Sequence, residues 1–127
     1  MSRPWTEEEL RQVGDATELE LAAQRDDGSF RPFTTMWVVR VGDGLYVRSA
    51  GGSDRPWYRH ARSSRKGRIR GGGMRAEVDF GEAEVQDRID AAYHAKYDRW
   101  GSGPVGHVTG PDAHGVTISL VRRAGRD

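Results

Sequence analysis

Hydrophobic and polar residues alternate along much of the chain, and this pattern predicts β-strands. In ELELAAQ, Leu19, Leu21 and Ala23 alternate with polar residues, which is typical of a strand with one buried face. The segment FTTMWVVRV (33–41) is rich in β-branched and aromatic residues and predicts one strand. It is followed by the turn signal GDG and by the return strand LYVRS, so we expect a hairpin here.

Two further segments complete the predicted sheet. GRIR and MRAEVDF flank a triple glycine and predict a second hairpin, with Ala76, Val78 and Phe80 on one face. VTISLVRR closes the chain with the same alternation. About six strands, with hairpins between neighbours, favour a mainly β (α+β) fold, a small antiparallel barrel with peripheral helices. A chain of 127 residues has room for one core, so we expect a single domain over 1–127.

Three segments carry helical signals. Thr6 and Glu9 in PWTEEEL have the spacing of a capping box, which predicts the start of a helix. Asp54, shortly before PWYR, predicts a second and shorter helix with an aspartate cap. Over 82–100 the hydrophobic spacing becomes helical and predicts the longest helix. The glycine-rich segment 101–115 is predicted to be a loop.

The composition excludes several classes of protein. The chain has no cysteine, so neither disulfides nor thiolate chemistry is available. No run approaches the roughly 18 apolar residues of a membrane span, and MSRPWTEEEL lacks the features of a signal peptide. We therefore expect a soluble cytoplasmic protein. His107, Asp112 and His114 match no zinc spacing, so no metal site is predicted.

Positive charge is concentrated in one segment, although the net charge of the chain is only +1. Residues 48–75, which we call the basic island, hold nine arginine and lysine residues and one aspartate. The island is compatible with a nucleic-acid surface, a site for a phosphate-bearing small molecule, or a solvated face paired with nearby acids. Because proteins that coat DNA are usually basic overall, nucleic acid is the weakest of these interpretations.

Two motifs carry the candidate chemistry. GGSD follows a predicted strand and precedes the predicted PWYR helix. Glycine backbone and the free amides at a helix start can bind an anion. A tight turn between strand and helix explains the same residues equally simply. Neither a P-loop nor a dinucleotide-binding fingerprint is present. In AAYHAKYDRW, Lys96 and Tyr97 either pack the helix against the barrel or point a cation and a hydroxyl into a cleft.

Four segments together resemble a known family. They are TMWVVRVGDGLYVRS, the Gly-Gly before PWYR, the RIR hairpin and IDAAYHAKYDRW, in this order. Their order and spacing resemble the bacterial domain-of-unknown-function family 2255 and, more distantly, the flavin- and deazaflavin-dependent nitroreductases of the FMN-binding split-barrel superfamily. The resemblance covers residues 31–123. It implies a six-stranded antiparallel split β-barrel that forms a homodimer, with a flavin cleft between the protomers.

The resemblance also implies where a cofactor, FMN or deazaflavin F420, would lie. Basic residues near the start of the second strand and polar residues at the end of the third strand would hold its phosphate, and aromatic residues would wall its ring. In an oxidoreductase of this kind we expect Lys96 or Tyr97 to be catalytic, orienting the substrate or donating a proton. The matching cofactor-binding positions in this sequence are Arg31, Arg48, Ser49, Ala50, Gly51, Gly52, Trp57 and Tyr58. We expect Trp37 to wall the ring together with Trp57.

Three functions remain open from the sequence. The first is an oxidoreductase that uses FMN or F420 to act on a small molecule. The second is a cofactor-free split barrel that binds a small anionic or aromatic metabolite, with or without a non-redox activity on it. It is favoured because the relatives' GRKSG phosphate signature is replaced here by DDGSFRPF, of whose cations only Arg31 remains. The third and weakest is a nucleic-acid binder.

Overall fold

The computed structural model describes residues 2–124, and its centre is a curled antiparallel sheet. The strands are β1 Leu19–Ala23, β2 Thr34–Met36, β3 Val39–Val41, β4 Gly44–Arg48, β5 Lys66–Gly71, β6 Met74–Gly81 and β7 Thr117–Arg122. The helices are α1 Glu7–Gly14, α2 Pro56–Ser64, α3 Gln86–Tyr97, α4 Ser102–Gly106 and α5 Pro111–His114, and a 3-10 turn covers Asp98–Trp100.

The curl of the sheet follows from the way its edge strands are connected. The strand order is β2-β1-β5-β6-β7-β4-β3, so β2 and β3 lie at opposite edges. Only Trp37 and Val38 separate these two strands along the chain. Because a two-residue link spans roughly 10 Å at most, the two edges must approach each other. The sheet is therefore a half-barrel that closes at the Trp37–Val38 link.

The prediction of one continuous strand over 33–41, and hence of six strands, is wrong at this link. The Val38 N–H and the Tyr97 hydroxyl oxygen are 3.2 Å apart, and the Val38 carbonyl accepts from Nζ of Lys96 at 2.7 Å. Side chains of α3 therefore satisfy the backbone of Val38, where a continuous strand would use a neighbouring strand. The strand breaks here, and the chain passes from one edge of the sheet to the other.

Two hydrophobic clusters stabilise the fold. The larger joins β1 and β4–β7 to α1 and α2, and its largest fully buried side chains include Leu10, Leu19, Leu21, Leu45, Ile69, Ile118 and Leu120. The smaller joins β3 to α3 and α4 through Val39, Val41, Ile89, Tyr93, Tyr97, Val105 and Val108. Removal of this apolar surface from water is the main favourable term in folding. Within residues 2–124, no helix is long and apolar enough to cross a membrane.

The helices agree with the sequence pattern in two places and differ in two others. The capping box is confirmed, because the Glu9 N–H donates to Oγ1 of Thr6 and the Thr6 N–H donates to Oε1 of Glu9. The helix predicted over 82–100 is present as α3 and the 3-10 turn. The predicted aspartate cap of α2 is wrong, because Arg55 is the N-cap and no side chain bonds to it. The predicted loop over 101–115 contains α4 and α5.

Candidate ligand-binding site

A cavity of about 730 Å³ opens beside the Trp37–Val38 link, and we call it the main cavity. It lies between β2, the turn after β4, the start of α2, and α4 with the segment after it. Its volume is within the range of cavities that bind small molecules and cofactors. The lining residues are Glu18, Thr34, Thr35, Met36, Trp37, Arg48, Ala50, Gly51, Arg55, Trp57, Gly103, Pro104, His107 and Val108.

Two indoles wall the main cavity, and each contacts a buried tyrosine. The Trp37 ring stacks on the Tyr97 ring of α3, with centroids 4.0 Å apart and planes 5° from parallel. The Trp57 ring meets the Tyr58 ring edge-on, with centroids 5.8 Å apart. Because Tyr97 and Tyr58 are packed in the interior, they restrict the rotation of the indoles that they touch. The main cavity thus offers two fixed aromatic surfaces to a ligand.

The turn after β4 brings a cation to the main cavity. The Ser49 hydroxyl donates to the Gly52 carbonyl at 2.6 Å, and the Gly52 N–H donates to the Ser49 carbonyl at 3.1 Å. Gly52 has a φ of +90°, a conformation that favours glycine. A Cβ at Gly51 would lie 1.7 Å from Nε of Arg55, so the absence of a side chain lets Arg55 lie across the turn. Arg55 therefore forms part of the cavity wall.

Arg55 is available to a ligand. Its side chain is exposed, and it has no hydrogen-bond or ion-pair partner among residues 2–124. The first turn of α2, which follows directly, contains no acidic residue and has no side-chain cap, so the positive end of its dipole is not compensated there. His107, after α4, is also exposed and lines the cavity. The site thus combines aromatic walls, a positive corner and an imidazole.

Arg48, which the sequence analysis assigned to a phosphate, cross-links β4 to its neighbours instead. Its side chain is fully buried. Nε donates to Oγ1 of Thr117 at 2.9 Å, and Nη1 donates to the Asp90 carboxylate and, at 2.7 Å, to the Val108 carbonyl. Nη2 donates to Oε1 of Gln86 at 2.7 Å and to its carbonyl at 3.3 Å. These five hydrogen bonds use all five N–H donors of an arginine, so none is left for a ligand.

Lys96 and Tyr97, predicted to be catalytic, do not line the main cavity. Nζ of Lys96 donates to the carbonyls of Gly14 at 2.8 Å and Val38 at 2.7 Å. The Tyr97 hydroxyl lies 2.7 Å from the carbonyl of Thr17 and 2.9 Å from that of Val38. Burial lowers the pKa of Lys96 to about 8 and raises the pKa of Tyr97 to about 12. Both side chains fix the link between β2 and β3, and both line a separate cavity of about 590 Å³. Their predicted catalytic role is therefore not placed at the main cavity and stays a prediction.

The other predicted site residues divide between the main cavity and the interior. Ser49 and Tyr58 are buried, and the Tyr58 hydroxyl donates to the Gly115 carbonyl at 3.0 Å, so neither hydroxyl faces the cavity. Gly52 shapes the turn without lining the cavity. The predicted residues that the structure does bring together around the main cavity are Trp37, Ala50, Gly51 and Trp57, with the buried Arg48 beside them.

Arg31 lines a separate and smaller cavity of about 220 Å³, which we call the Arg31 cavity. The prediction that Arg31 and Arg48 share one phosphate site is therefore corrected. Thr34 and Trp57 line both cavities, so the two are adjacent. The remaining lining residues of the Arg31 cavity are Leu21, Ala23, Pro32, Pro56 and His60.

Arg55 and His107 were not among the predicted site residues. Arg55 is one of nine cations in the basic island, and a signal for it existed in the Gly-Gly pair just before a helix start without an acidic residue. His107 lies in a glycine-rich segment, and nothing local distinguishes it from a surface histidine.

Three residues of the basic island have partners within the protein. Arg48 is buried, and Arg70 pairs with Glu20 at 2.8 Å. The Arg68 guanidinium lies 4.1 Å from the centroid of the Phe30 ring, a cation–π contact. These residues of the island are therefore committed to acids, aromatic rings or the interior of the protein.

A family assignment agrees with the segments quoted above. Residues 9–120 match the family described as "Uncharacterized protein conserved in bacteria (DUF2255)". The chain belongs to this family. The resemblance inferred from the sequence is thereby confirmed at the level of the family. No curated protein matches the chain.

Several solved structures have a fold similar to that of this chain but share little of its sequence. A candidate pyridoxamine 5'-phosphate oxidase from Listeria innocua is 16% identical with a TM-score of 0.62, over 91% of this chain and 90% of that one. The heme storage protein HutZ from Vibrio cholerae is 13% identical with a TM-score of 0.63, over 94% and 91%. A FAD-binding protein from Mesorhizobium loti is 16% identical with a TM-score of 0.51, over 99% and 94%. The DUF2255 chain thus has the split-barrel fold that flavin-binding and heme-binding proteins share.

Proposed function

We propose that the main cavity binds a flavin-type cofactor, FMN or deazaflavin F420, and that the protein is an oxidoreductase acting on a small molecule. The observation that carries the proposal is the cavity of about 730 Å³ with two indole walls and the free Arg55 guanidinium. Flavin-type cofactors have a planar aromatic ring and a phosphate-bearing tail, which suit aromatic walls and a positive corner. When bound, the cofactor supplies hydride transfer.

The residues of the main cavity would have separate tasks. Trp37 and Trp57 would bind the ring by stacking. Arg55 and the first amides of α2 would hold the phosphate, since a guanidinium grips phosphate oxygens in a bidentate manner. His107 would exchange a proton with the substrate, because the two ring nitrogens of an imidazole can donate and accept hydrogen bonds. In this proposal Lys96 and Tyr97 act only by positioning the backbone behind Trp37.

A second candidate function is favoured by the hydrogen bonds of Arg48. The N–H donors of Arg48 are all used within the protein. Arg55 is therefore the one arginine or lysine free for a ligand among the described lining residues. A single cation suits a ligand with one anionic group better than a cofactor with a polyanionic tail. In this alternative the barrel is cofactor-free, and the main cavity binds a small anionic or aromatic metabolite directly.

Thermal unfolding with added cofactor tests the proposal. FMN or F420 is expected to raise the Tm, because a ligand that binds only the native state stabilises it. Arg55→Gln is expected to weaken this binding about tenfold, since a charge-assisted contact to the phosphate is lost. Arg62→Gln, on the same helix but outside the main cavity, is the matched control and is expected to bind as the wild type does.

Hemin belongs in the same series, because His107 is the type of side chain that ligates heme iron. If hemin raises the Tm of the wild type but not of His107→Ala, and neither FMN nor F420 raises it, heme takes the place of the flavin in the proposal. If saturating FMN and F420 both leave the Tm unchanged, the flavin proposal fails. The cofactor-free alternative then remains.

We also infer that the protein is a homodimer. Thr35, Arg55 and Gly103 are exposed residues of the lining, so the main cavity is open to solvent on one side. A second copy packed over this opening would exclude water from a bound ring. Light scattering during size-exclusion chromatography is expected to give twice the chain mass of 14.2 kDa. A single-chain mass at all concentrations tested would exclude the dimer.

A further inference from the structure

We propose that the Arg31 cavity binds a small, mainly apolar monoanion, such as a carboxylate on a single ring or a short chain. Its volume of about 220 Å³ is below the usual range of cofactor cavities, so it admits only a small molecule. The Arg31 cavity is separate from the main cavity. This proposal therefore does not depend on a cofactor in the main cavity.

The walls of the Arg31 cavity are mostly apolar. Leu21 and Ala23 come from buried positions of β1, and Pro56 and Trp57 form the first turn of α2. Pro32 lies on the segment between β1 and β2. Such walls favour a ligand that buries hydrocarbon, because removal of apolar surface from water is favourable.

The charged or titratable residues of the lining are Arg31 and His60, and no acid accompanies them. The Arg31 side chain has no hydrogen-bond or ion-pair partner within residues 2–124, although its backbone N–H donates to the Ala23 carbonyl at 2.9 Å. Arg40 and Arg70, in contrast, bind carboxylates at 2.8 Å. Arg31 is only partly exposed, so the attraction between its charge and an anion is screened less than at the open surface.

The neighbouring charges that shift the pKa of His60 are positive. Burial lowers the pKa of His60, and the charges of Arg31, Arg59 and Arg25 lower it further. A bound anion offsets these charges and raises the pKa of His60. Binding and protonation are therefore linked, and the affinity for the anion rises as the pH falls through the pKa of His60.

The test uses the whole chain, with benzoate as the probe and benzamide as a neutral control of similar shape. The C–H resonances of the His60 ring are followed by NMR between about pH 5 and about pH 8, the range in which histidine titrates. Benzoate is expected to raise the pKa of His60 in a saturable manner, and benzamide is expected to leave it unchanged. Benzoate should bind more tightly at the acidic end of this range.

A pair of variants assigns the effect to the Arg31 cavity. Arg31→Gln is expected to weaken benzoate binding about tenfold, because a charge-assisted hydrogen bond is lost. Arg62→Gln, which removes an arginine of α2 that does not line the Arg31 cavity, is expected to leave the affinity unchanged. Equal effects of benzoate and benzamide, no saturable shift of His60, or the same affinity in both variants would overturn the proposal. None of these outcomes depends on whether FMN binds.

Discussion

At the scale of single residues, Arg48 is the centre of a buried polar network. Its guanidinium lies 5.5 Å from the centroid of the Tyr93 ring, in addition to its five hydrogen bonds. Asp90 also accepts a hydrogen bond from Nε2 of His114 at 3.0 Å. Burial opposes the charge of Asp90, but the hydrogen bonds from His114 and Arg48 outweigh it and hold the pKa of Asp90 below its usual value. The network fixes Val108, a residue of the main cavity wall.

Arg48→Met keeps the aliphatic bulk at this position and removes all five donors. We expect the free energy of unfolding to fall by about 3 kcal/mol, because a carboxylate and buried carbonyls lose their partner. Urea unfolding measures this change. The control is Arg88→Met on an exposed part of α3, which should stay within about 0.5 kcal/mol of the wild type. A loss of less than about 1 kcal/mol in Arg48→Met would refute the structural role.

The structural role of Arg48 could not be predicted from the residues next to it in the sequence. The strand end and the glycines beside it are local and visible, and they indicate an anion corner. The acceptors that occupy its guanidinium lie 38 to 69 residues away along the chain, on α3, β7 and the segment before α5. The availability of Arg55 was equally hard to predict, because it depends on no acceptor from a distant part of the described chain lying near its guanidinium.

At the scale of elements, α3 couples the closure of the half-barrel to the wall of the main cavity. Lys96 and Tyr97 bind the carbonyl of Val38, and the Tyr97 ring stacks on Trp37. A shift of α3 would therefore move both the link between β2 and β3 and one indole wall. At this link, Lys96 also makes the stability of the protein depend on pH.

Lys96 is expected to make the protein more stable as the pH rises above about 8. Burial lowers the pKa of Lys96 from 10.5 to about 8. Between these values the unfolded chain binds more protons at this position than the native chain does, so the free energy of unfolding rises with pH. Below about pH 8 the native state carries the desolvated charge, and this gain is absent.

Urea unfolding at several values between about pH 7.5 and about pH 9.5 measures this rise below the range in which ordinary tyrosines ionise. The wild type and the exposed control Lys66→Met should both show it. Lys96→Met should show a smaller rise. The assignment to Lys96 fails if all three proteins have the same slope.

Elements were predictable where their determinants are local. The capping box at Thr6, both hairpins and α3 each depend on residues within a few positions of one another. The break between β2 and β3 was not predictable in this way, because FTTMWVVRV has the composition of one strand. The side chains that satisfy Val38 lie 58 and 59 residues farther along the chain.

At the scale of the whole molecule, alternation and hairpins indicated an antiparallel, barrel-like sheet. The curl depends on pairings between strands that are distant in sequence, β1 with β5 and β4 with β7. The seventh strand arises because α3 bonds to Val38 and breaks the strand predicted over 33–41. The site, too, depends on contacts between segments that are distant in sequence. Trp37, Gly51 and Trp57 lie around one cavity because the half-barrel brings the β2–β3 link beside the turn after β4. Arg31 is on the neighbouring cavity because the segment between β1 and β2 runs past the start of α2.

The central claim is that Trp37 and Trp57 enclose a flavin ring in the main cavity, and the fluorescence of FMN during titration with the protein tests it most directly. The wild type is expected to quench FMN emission in a saturable manner, because an indole stacked on the ring lies in direct contact with it. Trp37→Leu and Trp57→Leu should each weaken binding by about tenfold, since stacking and buried area are both lost. Trp100→Leu, at an exposed position outside the main cavity, should titrate as the wild type does. Unchanged FMN emission at saturating protein, or the same result in all three variants, would contradict the account.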